Sequence, residues 1–408
     1  MTETIQLVEQ HIIRKDDPRW QAIDVASFAA KNIYNAANYK LRQAFIFEGR
    51  FMPYAELDTF FKQADLLPDQ QLPSKVVQHV LRQVEQDWKS FFAAKAAWKD
   101  HPEKFTGSPR LPKYKHKTEG RNLLAYPENA YFKKALKKGA IQLSRLDFTI
   151  PTKQRQINQV RIVPQKTHYT VEVVYTKVIE LAPNLNPDWI AGGDLGIDTL
   201  LALTSNKPGF VPLLINGRPL KAINQFYNKH VATLHSQLPK DTYTSHRIQA
   251  VTHNRNQRVK TELHRCSRAV VDHLSAQGIG VFVIGKNYGW KQQVTLGKRN
   301  NQNFVGIPHA RFIDMLTYKA RLVGIKVMVQ DESYTSKCSF LDNEPVHKHE
   351  HYKGKRICRG LFRASDGRCI QADVNGAYNI LRKAVPKAFA DGIGAVVVQP
   401  VRVYPCAN

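Results

Sequence analysis

Residues Trp189 to Leu203 read WIAGGDLGIDTLLAL, and the reading of Asp194 within them decides the fold. The stretch is a short apolar strand, a glycine-flanked carboxylate and a second apolar strand. Apolar residues on both sides predict a strand buried in a sheet. A carboxylate at its polar break, between Gly193 and Leu195, is costly there unless a metal or a basic partner compensates its charge. The competing reading is an Asp in a hairpin turn, since Asp and Gly both favour turns.

A second carboxylate stands near the far end. Ala372 to Ile380 read ADVNGAYNI, with Asp373 opening a helical pattern; a helix N-cap is its alternative reading. GxDxG on a first strand, followed by DVNxAxNI on a late helix, resembles the split RuvC-like nuclease of TnpB. That is the RNA-guided endonuclease encoded by bacterial and archaeal insertion sequences, related to the type V CRISPR effectors and the eukaryotic Fanzor proteins. The resemblance runs from about Trp20 to Ala384 and is strongest in the last half.

Composition agrees with a nucleic-acid partner. The 408 residues suffice for two or three domains with their own cores. Sixty Lys plus Arg against 34 Asp plus Glu give a formal charge of +26, which implies a polyanion. An anionic membrane surface is the runner-up, but the basic residues are spread over the whole chain. No run reaches the roughly eighteen apolar residues of a spanning helix, and MTETIQLVEQ carries no secretory pattern. Five cysteines, Cys266, Cys338, Cys358, Cys369 and Cys406, are too few and odd for a disulfide scaffold and suggest a reducing compartment. The expected location is the cytoplasm of a bacterium or archaeon.

Along the chain, helical spacing is predicted over 20–47, over Tyr54 to Asp65, and in a stripe from Val77 to Phe92. Residues 106–122, TGSPRLPKYKHKTEGRN, are a basic, Pro- and Gly-broken loop that reads as a solvated linker or a nucleic-acid contact. The period then switches to two: Tyr169, Val171, Val173 and Tyr175 are expected on one face, Thr170, Glu172 and Val174 on the other. After the meander that starts at Trp189, a helical stretch from Leu220 to Gly278 breaks at Pro239–Ser245. Strand 280–285, a helix opened by Pro308 and ending at Gly324, and strand 325–330 then form a strand–helix–strand unit, which implies two adjacent parallel strands.

The resemblance implies an α/β multidomain protein. It would hold an RNase H-like (RuvC) nuclease domain at 189–385, with a degraded zinc-ribbon-like insertion at 334–370. A β-barrel wedge domain would take 1–19 and 106–182, an inserted helical recognition lobe 20–105, and a C-terminal tail 386–408. The expected activity is Mg²⁺-dependent hydrolysis of DNA that matches a guide RNA. Such chemistry needs carboxylates converging on hard metal ions. Asp194 and Asp373 take the first and third places by motif.

The family's usual glutamate at the end of the strand Val281–Ile284 is here Gly285, followed by Lys286. Relocation is the reading adopted: Glu332 ends the next strand, about 4.8 Å away, with Asp331 as the alternate. Loss of the acid, leaving a nuclease-silent RNA-guided DNA-binding regulator, is the competing account. A DDE-type DNA transposase is the third. Asn375 and Asn379 are candidates to support the site or plain helix-surface residues. Nucleic-acid contact candidates are Arg110, Lys113 and Lys115 in the basic loop, Lys286, and Lys291, Lys298 and Arg299 in a lid-like segment between Asn287 and Asn303.

Each putative CxxC pair has lost its second member: Leu341 follows Cys338, and Leu361 follows Cys358. Zn²⁺ is therefore not expected, although Cys369 and the His347, His349, His351 cluster hold donors of the right kind. The expected partners are a guide RNA and a double-stranded DNA target, one protein per RNA, and no membrane.

Overall fold

The computed structural model describes residues 3–63, 72–179, 181–182, 184–287, 306–390, 392–393 and 396–405. It divides into two compact units, residues 3–178 and 179–408. The fold is mixed α/β.

In the first unit, β1 (Thr4–Arg14) precedes three helices, α1 (Trp20–Phe47), α2 (Tyr54–Gln63) and α3 (Ser74–Asp100). There follow β2 (Leu124–Pro127), a short α4 (Lys133–Lys137), β3 (Ala140–Gln142), β4 (Thr149–Pro151), β5 (Gln159–Pro164) and β6 (His168–Val178). The main sheet has the order β1-β6-β5-β2, all antiparallel, and β3 pairs with β4 separately. Among the described residues no pairing closes this row into the barrel expected from sequence. The stripe on α3 is core: Val77, Val80, Leu81, Val84 and Trp88 are buried, and Trp88 Nε1 donates to Asn38 Oδ1 of α1 at 2.9 Å. Tyr169, Val171 and Val173 face that core, but Thr170 and Val174 are buried as well. The two-period pattern of β6 is therefore covered on both faces over part of its length, and the strand is paired on each side.

The basic loop is no free linker. The helix α1 carries a polar stripe at Asp24, Ser27, Lys31, Asn35, Asn38 and Arg42, three or four residues apart. Each binds the returning chain: Asp24 accepts from Arg121, Ser27 and Asn122 exchange bonds, and Lys31 Nζ donates to the Lys117 carbonyl. Asn35 exchanges bonds with Lys115, and Asn38 and Arg42 both donate to the Pro112 carbonyl. Residues 112–122 thus run as a strap antiparallel to α1, its backbone groups satisfied by that stripe.

In the second unit, β7 (Asn186–Leu195), β8 (Thr199–Ser205) and β9 (Leu213–Asn216) form an antiparallel meander. Two helices follow, α5 (Arg218–Ser236) and α6 (His246–Ala276), then β10 (Ile279–Gly285), α7 (His309–Leu322) and β11 (Lys326–Gln330). Three short strands, β12 (Lys355–Cys358), β13 (Leu361–Arg363) and β14 (Cys369–Gln371), make a small sheet before α8 (Ala372–Ala384) and a last strand, β15 (Val401–Val403). The large sheet has the order β11-β10-β7-β8-β9-β15. As the crossover predicted, β10 and β11 are parallel, and β10 is parallel to β7 as well. The turn after α7 is made by Gly324 at φ +85°, the left-handed region that favours glycine. The end of the chain, for which the sequence offers no function, adds β15 to the sheet edge in parallel with β9.

Candidate active site

Three acidic side chains from separate elements lie near the ends of β7 and β10, close enough for the charges of Glu332 and Asp373 to act on Asp194 but not in metal-holding geometry. Asp194 lies in the ladder of β7, paired with Ala202, and so is no turn residue. Beside it, Ile284 of β10 pairs with Gly193, and one step on Gly285 pairs with Gln330 of β11. Two residues beyond Gln330 comes Glu332.

The Glu332 side chain occupies the space that a side chain at Gly285 would need. A Cβ placed on Gly285 would collide with Glu332 Oε1, would stand 2.7 Å from Glu332 Cγ and 2.6 Å from Ile380 Cδ1 of α8. Asn287 Nδ2 donates to Glu332 Oε2 at 2.8 Å, whereas the buried Oε1 has no hydrogen-bond partner. Asp194 is placed by a second missing side chain: a Cβ on Gly376 of α8 would stand 2.5 Å from Asp194 Oδ2. Asp373 lies in the first turn of α8, but the N-cap is Gln371, whose Oε1 accepts from Val374 N at 2.8 Å and whose Nε2 donates to Asp373 Oδ2 at 3.1 Å. Asp373 is thereby left free of capping duty, and Arg356 Nη2 lies 4.0 Å away.

The electrostatics follow from this crowding. Burial pushes the Asp194 carboxyl well above the usual carboxylate range, and the charges of Glu332 and Asp373 add to it. Burial, with the Asp331 charge next door, pushes Glu332 up to about 7. Asp331 itself points elsewhere. It accepts from Lys383 Nζ at 3.0 Å and from Ser333 N, and these bonds hold its carboxyl below the usual range.

Asn375 and Asn379 do not touch the carboxylates, nor do they lie on the surface; both are 0% exposed. Asn375 accepts from Phe340 N and donates to the Cys338 carbonyl, while Asn379 donates to the carbonyls of Cys338 and Thr335. Thr335 in turn donates to the Glu332 carbonyl through both N and Oγ1. The two asparagines therefore clamp the segment that carries Glu332 onto α8. Their type signals a polar role, but nothing in the sequence says which backbone they meet.

In the insertion, Cys338 is buried and its thiol donates to the His347 carbonyl, while Cys358 and Cys369 are exposed. What ties its turns together is the buried Glu344, which accepts from Ser339 N and Lys353 N, and a stack of Phe340 on Tyr378 with centroids 4.5 Å apart. Among the described residues no group of three or more His, Cys, Asp or Glu side chains stands in metal-holding geometry.

Of the nucleic-acid contact candidates, Arg110 and Lys113 are exposed. Lys115 is half-buried with Nζ 4.6 Å over the Tyr34 ring, and burial lowers its pKa. Lys286 is half-buried, its backbone N donating to Gln330 O. Lys291, Lys298 and Arg299, with most of the lid-like segment, lie outside the described residues. No helix among the described residues is long and apolar enough to cross a membrane.

Comparisons with known proteins agree with this architecture. Residues 167–291 match the OrfB_IS605 family, described as a probable transposase, and residues 309–380 match the Cas12f1-like TNB domain. A cryo-EM structure of a Cas12f1–sgRNA–target DNA complex is similar, with a TM-score of 0.54 at 13% identity, over 88% of this chain and 82% of that one. The C2c1 protein of Alicyclobacillus acidoterrestris, solved with single-guide RNA, aligns over 89% of this chain and 66% of its own at 8% identity and a TM-score of 0.44. No curated protein matches the chain. Over these two stretches the chain is similar to the OrfB_IS605 transposase family and to the Cas12f1-like TNB domain, and its mixed α/β fold resembles that of Cas12f1.

Proposed function

We propose that this chain is an RNA-guided DNA endonuclease of the TnpB type, hydrolysing phosphodiesters of DNA that pairs with a bound guide RNA and depending on Mg²⁺. In this reading residues 189–385 are a RuvC-like nuclease domain with a degraded ribbon at 334–370. Residues 1–19 and 106–182 are the wedge, and 20–105 the recognition lobe. Arg110, Lys113 and the other basic candidates contact nucleic acid. Guide pairing reads the target sequence, and the protein reads a short flanking motif. The similar Cas12f1 structure was solved with sgRNA and target DNA, which supports those partners.

The observation that carries the proposal is the filling of the Gly285 gap by Glu332, which sets a third carboxylate beside Asp194 and Asp373. The donor set is of the kind a hard divalent cation takes, three carboxylates, one of them with a buried, unpartnered oxygen, although the three do not stand in metal-holding geometry in this structure. Asp194, Glu332 and Asp373 would hold the metal. When bound, it supplies an acidified water and neutralises charge on the phosphate oxygens. The chain's own part is to keep three mutually repelling carboxylates in place. Gly376 lets α8 come down on Asp194, Asn287 fixes one oxygen of Glu332 and leaves the other unpartnered, and Gln371 orients Asp373.

The test is plasmid cleavage in Mg²⁺ by protein co-expressed with the RNA flanking its own gene, on a target preceded by randomised sequence. Asp194→Ala and Glu332→Ala should each abolish cutting. Cutting that survives Glu332→Ala would overturn the relocated glutamate. Guide-dependent binding by wild type without cutting would move the chain to the class of RNA-guided regulators.

A further inference from the structure

Beside Asp373 opens a cleft of about 270 Å³ whose walls carry four arginines, Arg218, Arg356, Arg359 and Arg402, against two carboxylates, Asp198 and Asp373. Asp198 is already spoken for, with Lys221 Nζ at 3.0 Å and Arg359 Nη2 at 2.5 Å. Arg356 stands 4.0 Å from Asp373, at the edge of an ion pair. Arg402 Nη1 is buried and has no hydrogen-bond partner. A buried charged donor left unpaired is expensive, and a cleft with surplus guanidinium charge attracts an anion.

The last strand places that donor. In the register of β15 on β9, Arg402 sits beside Leu214, between the pairs Val401–Leu213 and Val403–Ile215. Leu214 belongs to the core cluster of α8, with Ala372 and Val374, whereas Val403 packs on the cluster beneath the opposite face. Strand alternation therefore turns Arg402 toward the α8 face, where Asp373 lies. A guanidinium fork matches phosphate oxygens in bidentate fashion.

We propose that this arginine cleft is a seat for a backbone phosphate of the DNA strand presented to Asp194, Glu332 and Asp373, and that Arg402 of the terminal strand is its positioning donor. The proposal rests on the reading of those three acids as the cutting site. It gives the end of the chain a task in substrate placement: the strand enters along the arginines and is held with a phosphate next to Asp373.

The experiment reads the seat without requiring cutting. The full chain, in EDTA, is photocross-linked to a single strand of about eight nucleotides carrying 4-thiothymidine, a length suited to one groove, and the attached peptides are mapped. Cross-links should fall on the peptides around Arg356–Asp373 and Val401–Val403. Arg402→Gln should lower their yield about tenfold, since it removes a charge-assisted contact, while Arg402→Lys retains most of it and both variants still melt cooperatively. Arg359→Gln, whose side chain is 73% exposed and whose ion pair with Asp198 is backed by Lys221, should lower the yield at little cost to stability. Millimolar inorganic phosphate should compete poorly; full competition would mean a site for the free anion and overturn the strand seat. Cross-links that map elsewhere, or are indifferent to Arg402→Gln and Arg359→Gln, also overturn it, whether or not the chain cuts. Arginine-dependent cross-links in a chain that cuts nothing would leave the seat standing and remove the nuclease reading alone.

Discussion

Glu332 lies in the hole left by Gly285. Gly285 ends β10, Glu332 follows two residues after the end of the parallel neighbour β11, and the glutamate side chain crosses to fill the position a Gly285 side chain would take. An acid at the end of β11 can thus present its carboxyl at the end of β10, next to Asp194. The exchange works only because residue 285 has no Cβ.

Gly285→Ala should separate the site from the fold. The added methyl meets chiefly Glu332, whose flexible end can swing away, and Ile380 Cδ1. Stability should drop by about 1–3 kcal/mol, short of unfolding the chain, while single-turnover cutting falls about tenfold or more, as expected for a displaced reacting group. The double change Gly285→Glu with Glu332→Ala should recover a good part of the lost rate, a non-additivity that marks two residues sharing one space. Additive losses in the double variant would mean that the two positions are not interchangeable.

A pH series on metal-free protein tests the environment of Glu332. Its folded-state value of about 7 exceeds its ordinary 4.5, so the folded chain holds this proton more tightly than the unfolded chain. That contribution is fully present below about pH 4.5 and is lost as pH rises through about 7. Glu332→Gln removes the titration. In EDTA its stability relative to wild type should therefore climb between pH 5 and pH 8, by at most on the order of 3 kcal/mol. Mg²⁺ should narrow the gap at pH 8 by favouring the ionised wild-type carboxyl. A stability difference that stays flat with pH would show that Glu332 is not held among the other acids.

Much of this was legible in the sequence where a local pattern has a single physical solution. The apolar run around Asp194, the strand–helix–strand from 280 to 330 and the stripe on α3 each lead to one element and one buried face. That the Glu332 side chain fills the space beside Gly285 was legible too, because a glycine at the end of one strand leaves room for a side chain from next door. What stayed hidden depends on contacts distant in the chain. Nothing local reveals that the six polar residues on α1 serve a strap some eighty residues away, that Asn375 and Asn379 face inward to backbone, or that Arg402 between two valines reaches a cleft beside Asp373.

The clamp on the Glu332 segment predicts an asymmetry between neighbours. Asn375→Ala strands the buried Phe340 N–H, which should cost about 2–3 kcal/mol and speed amide exchange at Ser339 and Phe340. Cutting should fall as well, because Thr335 and Glu332 hang from the same segment. Asp331→Asn, one residue from Glu332 but outward and paired with Lys383, should cost under about 1 kcal/mol and leave cutting within severalfold of wild type. If Asp331→Asn abolishes cutting and Glu332→Gln does not, the two acids have been assigned the wrong way round.

The strap along α1 separates folding from binding in the same short stretch. Asn35→Ala breaks the reciprocal pair with Lys115, whose two bonds measure 2.9 and 2.8 Å. The expected loss is about 1–2 kcal/mol, with faster amide exchange confined at first to residues 112–122. Lys113 and Arg110 are exposed to solvent, so Lys113→Gln and Arg110→Gln should leave melting unchanged. If they touch RNA or DNA phosphates, each should weaken guide or target binding across all sequences alike and reduce the slope of log affinity against log salt by roughly 1. Unchanged slopes in both variants would return the strap to a purely structural role: a length of chain whose lysines merely keep it soluble while its backbone ties α1 to β2.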